Sequence, residues 1–302
     1  MTSSGKAAAS AATGALLWGT LGPVAALFGT GDRIAAGGIR LAIGAIVLLA
    51  AAKGRPLRRV WTRADLLPLA SGAVGIAGFQ LAYFGAITSA GVAVSTAVGI
   101  GLSPVFTGLW TVATQRRAPS TGWLIGTALA AGGLCLLALT KGVTISVAGL
   151  GLSILAAAFF SLQAISIQAL TTRHDDATAL TGIFTLGVVL MSPVIAVTAT
   201  SNLLTPQGIG GVLYLGLVTT GLSYWLFARG IRHIGAAAAV TITLLEPAAA
   251  AVIAALFLHE TLSTGQWAGI ALIGAAILIT GRSTKPTSEL RTPELSQVAV
   301  GT

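Results

Sequence analysis

Glu246 is the residue whose placement most demands chemistry in this 302-residue chain. It is the one acidic residue deep in an apolar run; Asp32, Asp65, Asp175, Asp176, Glu260, Glu289 and Glu294 fall near run ends or between runs. A carboxylate at the centre of a bilayer costs about 2.5–3.5 kcal/mol on insertion scales, so it must be neutral, paired or turned to a wet cavity. Pro247 follows it and removes a backbone donor, which leaves a local bend and a free carbonyl beside a titratable group. That combination suits a substrate or proton site with Pro247 as a hinge. The competing reading is a structural carboxylate capped by a neighbouring hydroxyl.

Arg40 lies about two turns into a second apolar run. Three roles are open to it: snorkelling to the interface, pairing with a carbonyl, or holding the carboxylate of a cargo. A third group joins aromatic rings and amides: Trp18, Gln80, Tyr83, Gln163, Tyr224 and Trp225. Ligand sites are apolar walls with a few placed polar groups, and these side chains supply both. Interfacial belts and helix packing are the alternative for each ring. The buried amides are the stronger members, because an amide in lipid needs a partner. Ser95, Ser103, Thr107, Ser161, Thr241 and Thr243 are expected to bond backbone carbonyls or join helices.

What must position these groups is a set of membrane-crossing helices. The chain is 55% hydrophobic and 8% charged, with a mean hydropathy of +0.90. Soluble domains carry about 25% charged residues, so most of this chain cannot face water. Ten apolar stretches each approach the ~20 residues an α-helix needs to cross the hydrocarbon. They cover residues 7–28, 33–52, 66–86, 90–114, 122–139, 147–170, 177–200, 208–228, 236–258 and 263–280. The runs are continuous rather than alternating, which favours helices over barrel strands. The first run is long and contains Trp18 and Pro23, so it reads as a retained span rather than a signal peptide. The tail, residues 282–302, is polar, carries Pro286 and Pro293, and is expected to be disordered and cytoplasmic.

Charge placement sets the orientation. With the N-terminus inside, the cytoplasmic segments hold Lys6, Lys53, Arg55, Arg58, Arg59, Arg63, Arg116, Arg117, Arg173, Arg229, Arg232, Arg282, Lys285 and Arg291. The outer loops hold only Arg33 and Lys141. This bias fits the positive-inside rule, and it makes the net charge of +9 a mark of membrane orientation rather than of nucleic-acid binding.

The chain also repeats. A shift of 143 residues sets Pro104 on Pro247, Ser120-Thr121-Gly122 on Ser263-Thr264-Gly265 and Gly126 on Gly269. One further residue of shift sets Ile87 on Ile231, Gly91 on Gly235 and Gln80 on Tyr224. Residues 1–140 and 141–281 therefore read as two five-helix units. Five is odd, so the second unit enters the membrane from the opposite side, an arrangement that suits alternating access.

Other chemistries are poorly served. Cys135 stands alone, so neither a disulfide framework nor a thiolate metal site is expected. His174, His233 and His259 lie at segment ends without ligand spacing and read as loop residues. Gly208-Ile209-Gly210-Gly211 lacks the strand and the Gly-Lys-Ser/Thr of a phosphate cradle. The runs hold no clustered catalytic carboxylates, His-Glu-x-x-His motif or Ser/Lys dyad, so neither an enzyme nor a cofactor is expected.

Residues 222–281 carry Leu245-Glu246-Pro247 and His259-Glu260-Thr261-Leu262, and closely resemble the second EamA repeat of the drug/metabolite transporter superfamily. The first half resembles the first repeat through Trp18-Gly19, Arg40 and Ser103-Pro104. The resemblance implies a ten-helix carrier with both termini cytoplasmic, of a kind that often exports amino acids or related metabolites. The expected function is secondary transport, the efflux of small amino acids or related metabolites across the cytoplasmic membrane by alternating access; the expected partners are a small-molecule substrate and the bilayer, while proton coupling through Glu246 and homodimerisation stay open. A carrier or channel for another small solute, such as a drug, a cofactor precursor or a nucleotide-linked metabolite, is the alternative.

Overall fold

The computed structural model describes residues 3–25, 28–54, 62–116, 119–138, 146–198, 201–257 and 261–283. Among them there is no strand. The helices are α1 (Ser3–Trp18), α2 (Leu21–Ala25), α3 (Thr30–Ala51), α4 (Arg63–Gly99), α5 (Ser103–Gln115), α6 (Thr121–Ala138), α7 (Val147–Thr171), α8 (Asp176–Thr198), α9 (Pro206–Tyr214), α10 (Ser223–Ile234), α11 (Ala236–Ile242), α12 (Leu245–Phe257) and α13 (Thr264–Ser283). A π-helical stretch, Leu215–Leu222, joins α9 to α10.

Nine helical segments among the described residues are long and apolar enough to cross a membrane. The stretch expected as a further, first crossing differs. It is the 16-residue α1, a break at Gly19-Thr20, and the short α2. The break has local causes: Thr20 turns its hydroxyl back onto the Leu17 carbonyl, and Pro23 has no N–H to donate to the preceding turn. The crossing read at 208–228 is longer, Pro206–Ile234, so His233 lies in the last turn of α10 rather than in a loop. The His259-Glu260 pair, the tail beyond Ser283, and Arg55, Arg58, Arg59, Arg117 and Lys141 lie outside the described residues.

The helices pack in antiparallel pairs. Ser71 meets Ser166 at 2.9 Å where α4 lies along α7. Ser10 donates to the Leu226 carbonyl at 2.8 Å where α1 lies along α10. Gly38 faces Met191 and Ile195 between α3 and α8, and Gly133 faces Gly269 between α6 and α13. Small residues at these crossings let backbones approach closely, which is how membrane helices gain packing energy when lipid is as apolar as their side chains.

This pairing gathers charge at one end. Arg173 pairs with Asp65 at 3.1 Å, His174 Nε2 lies 3.0 Å from the same carboxylate, and Arg232 lies 3.8 Å from Asp176. The antiparallel register places Arg33 at the other end, where its Nε donates to the Ala25 and Phe28 carbonyls. Near the charged end Leu48, Leu69, Ile167, Leu170, Leu180, Ile231 and Val240 are all buried, forming a dense plug.

Two crossings are interrupted in the same way. Gly91 (φ 77°, ψ 165°) breaks α4, and Gly235 (φ 82°, ψ 162°) separates α10 from α11. This region of backbone space is essentially reserved for glycine. Within about ten residues each half breaks again, before α5 at residues 100–102 and before α12 at Thr243-Leu244. Each break ends at a helix with proline in its first turn: Ser103-Pro104 in α5, and Glu246-Pro247 in α12.

Candidate functional site

A narrow cavity lies between the halves. It is lined by Trp18 and Leu21 at the α1–α2 break, Arg40 of α3, Phe79, Gln80, Tyr83 and Phe84 of α4, Ile100, Phe160 of α7, Tyr224 of α10 and Glu246 of α12. The interrupted helices supply its centre, because a broken helix brings an end, with its unsatisfied N–H groups, to mid-membrane depth. Glu246 sits at such an N-terminus, where the helix dipole favours negative charge.

Arg40 is 4% exposed. One terminal nitrogen donates to Thr220 Oγ1 at 2.9 Å and the other to Gln80 Oε1 at 3.0 Å. Gln80 in turn donates from Nε2 to the Gly37 carbonyl at 3.0 Å. Gly37 lets the amide approach: a Cβ there would lie 2.7 Å from Gln80 Nε2 and 3.0 Å from the Phe84 ring, so the Gln80 amide would have to shift. Thr220 accepts from Arg40 while donating to the Leu215 carbonyl, five residues back, at 2.9 Å. The π-helical stretch thus presents a hydroxyl oxygen to the guanidinium. Arg40 does not snorkel; neutral acceptors on α4 and the π-helix hold it in place. It forms no ion pair with Glu246, which lines the same cavity.

The rings form a connected wall. Trp18 donates to the Thr219 carbonyl at 2.7 Å and packs edge-on against Tyr224, with centroids 4.8 Å apart. Phe79 stacks on Tyr83 at 5.1 Å and meets Phe160 at 5.4 Å. The Tyr83 hydroxyl lies 2.7 Å from Thr96 Oγ1, and Gln163 Nε2 donates to the Tyr224 hydroxyl at 2.9 Å.

Of the side chains singled out in the sequence, six line the cavity: Trp18, Arg40, Gln80, Tyr83, Tyr224 and Glu246. Gln163 is one step behind, orienting Tyr224, and its own Oε1 is buried without a hydrogen-bond partner. Trp225 points away and stacks under the Arg229 guanidinium at 4.7 Å. Pro247 faces a separate crevice with Thr96, Leu134 and Gln266. Pro104 is buried in the first turn of α5. The hydroxyls of Ser95, Ser103, Thr107, Ser161, Thr241 and Thr243 all donate to carbonyls three or four residues back, and Ser161 also to the Ser103 carbonyl across helices. Sequence reasoning missed Phe79, Phe84 and Phe160, which carry no polar atom to set them apart from lipid-facing rings, and Thr220, one of many hydroxyls in the runs.

The EamA-like transporter family matches residues 5–139 and again residues 147–282. The uncharacterized transporter YwfM of Bacillus subtilis (strain 168) is 34% identical over 274 residues, covering 88% of this chain and 90% of that protein. The threonine/homoserine exporter RhtA of Escherichia coli (strain K12) is 27% identical over 257 residues, covering 84% and 83%. A solved crystal structure superposes with a TM-score of 0.78 at 16% identity, covering 95% of this chain and 99% of that one, a likeness of fold.

Proposed function

The chain belongs to the EamA-like transporter family, and from that premise we propose that it exports small amino acids or related metabolites across the cytoplasmic membrane by alternating access. The observation that carries this reading is the cavity itself: the first half contributes Arg40, the second contributes Glu246, and both line it. A solute touching both charges senses the relative position of the halves, which is what a carrier needs and a passive pore does not.

The helix pairing supports two inverted five-helix repeats. If the halves correspond in order, α1 matches α7, and α4 up to Gly91 matches α9–α10. The α1–α10 and α4–α7 pairs are then images of one another, while α3–α8 and α6–α13 each pair a helix with its own counterpart. Antiparallel self-pairing follows from an axis lying in the membrane plane. In this reading α1–α2 is the first of ten crossings, broken at Gly19 because Gly19 packs against the start of α12. The positive-inside rule puts the end bearing Lys6, Arg63, Arg173 and Arg232 in the cytoplasm, with both termini. Protons are the coupling ion, with Glu246 carrying a proton when it does not hold cargo.

Overexpression in cells challenged with toxic amino-acid analogues tests export directly. Selective resistance is expected, and selective sensitisation would reverse the direction. Glu246→Gln with normal transport and an unchanged pH profile would remove the proton assignment. In liposomes, saturable counterflow is expected; flux that does not saturate would replace the carrier by a channel.

A further inference from the structure

We infer that the cargo is bound as a zwitterion with a neutral side chain, its carboxylate on Arg40 and its ammonium on Glu246. The inference rests on the carrier reading and extends it from a class of metabolite to a charge pattern.

Arg40 offers five N–H groups in a fixed fork, and the bonds to Thr220 and Gln80 engage two of them. Both acceptors are neutral, so they orient the guanidinium without cancelling its charge. A planar carboxylate matches the remaining donors. Glu246 brings a carboxyl group to the same lining, at a helix N-terminus. Each charge alone is costly at this depth. A ligand carrying both opposite charges compensates both at once, whereas a singly charged ligand leaves one buried charge unpaired.

The rest of the lining selects against a third charge. Arg40 and Glu246 are its only charged members among the described residues. The Trp18 N–H is spent on Thr219, the Gln80 amide on Arg40 and Gly37, and the Tyr83 hydroxyl bonds Thr96. What the wall presents to a side chain is therefore chiefly ring surface from Trp18, Phe79 and Phe160. A lysine- or glutamate-like side chain would enter with no counter-charge.

The test is counterflow by the full-length protein in liposomes, with four sets of competitors: neutral L-amino acids, their decarboxylated amines, their N-acetyl derivatives, and lysine and glutamate. Neutral amino acids are expected to compete roughly tenfold or more better than the matching amine or N-acetyl acid, the scale of one buried charge-assisted contact. Glu246→Gln is expected to shrink the preference over the N-acetyl acid to about threefold or less, and Arg40→Gln to do the same for the amine, since each removes one arm of the recognition. Equal competition by singly charged analogues would overturn the zwitterion site while leaving the carrier intact. Exchange of no solute in the panel, by protein that elutes as a single folded species, would overturn the carrier reading and this inference with it. The wild-type competition series needs no variant, so misfolding of either substitution leaves the inference testable.

Discussion

The two halves share a backbone device and differ in what they load onto it. Each has a glycine in the same left-handed conformation, Gly91 and Gly235, and each restarts a broken crossing at a residue followed by proline. In the first half that residue is Ser103, whose hydroxyl turns back onto the Gly99 carbonyl at 2.9 Å. In the second it is Glu246, which lines the cavity. The cation is partitioned the other way. Arg40 belongs to the first half, and the same shifts land on Ile183 and Phe184, both fully buried and apolar. On the zwitterion proposal, the unlike charges make a doubly charged cargo engage both halves.

The strongest challenge to this contrast is to move the carboxylate. Glu246→Ser is expected to lower transport by about 100-fold, in the range for losing one partner of a buried charge pair. Adding Ser103→Glu should not restore it, because Ser103 does not line the cavity. Recovery of counterflow in the double variant would make the halves interchangeable. The shared backbone device is probed by Gly91→Ala and Gly235→Ala. Each forces a side chain into positive φ and should cost about 1–3 kcal/mol. No atom lies within 4 Å of the position a Cβ would take at Gly91, and the nearest at Gly235 is Gln168 Nε2 at 3.7 Å, so strain rather than collision sets both losses. Thermal unfolding in detergent should show similar losses for the two, and a large inequality would break the backbone parallel.

Smaller effects follow around Arg40. Thr220→Val removes one neutral acceptor from the guanidinium and should raise the KM for counterflow by about tenfold, the scale of a hydrogen bond to a charged group. An unchanged KM would mean that Gln80 alone fixes Arg40. The least effect is expected from Ser103→Ala, less than about twofold in transport, since only a local bond to the preceding turn is lost. A larger loss would give the first half a polar role in the cavity.

Much of the architecture was legible in the chain. The crossings from α3 onward lie where continuous apolar runs placed them, because hydrocarbon leaves the backbone no choice but to satisfy its own hydrogen bonds. The first run was harder: its composition suits one helix, but Gly19 and Pro23 divide it where α12 packs close. Within the site, Glu246 and Arg40 stood out because charge is rare in the runs. The amides and rings did not separate by type. Gln80 lines the cavity and Gln163 stands behind it; Tyr224 faces inward and its neighbour Trp225 turns away.

Sequence by itself determined which segments enter the bilayer, the bias of basic residues, the repeat, and the two charged groups that lipid would not tolerate unaided. These follow from solvation, which acts on each segment separately. Tertiary structure decided which face of each helix meets the cavity. That depends on the rotation of a helix about its own axis, set by close crossings such as Gly37 against Gln80 and by the π-helical turn that brings Thr220 to Arg40. Such contacts join residues as much as 180 positions apart, and no local pattern encodes them.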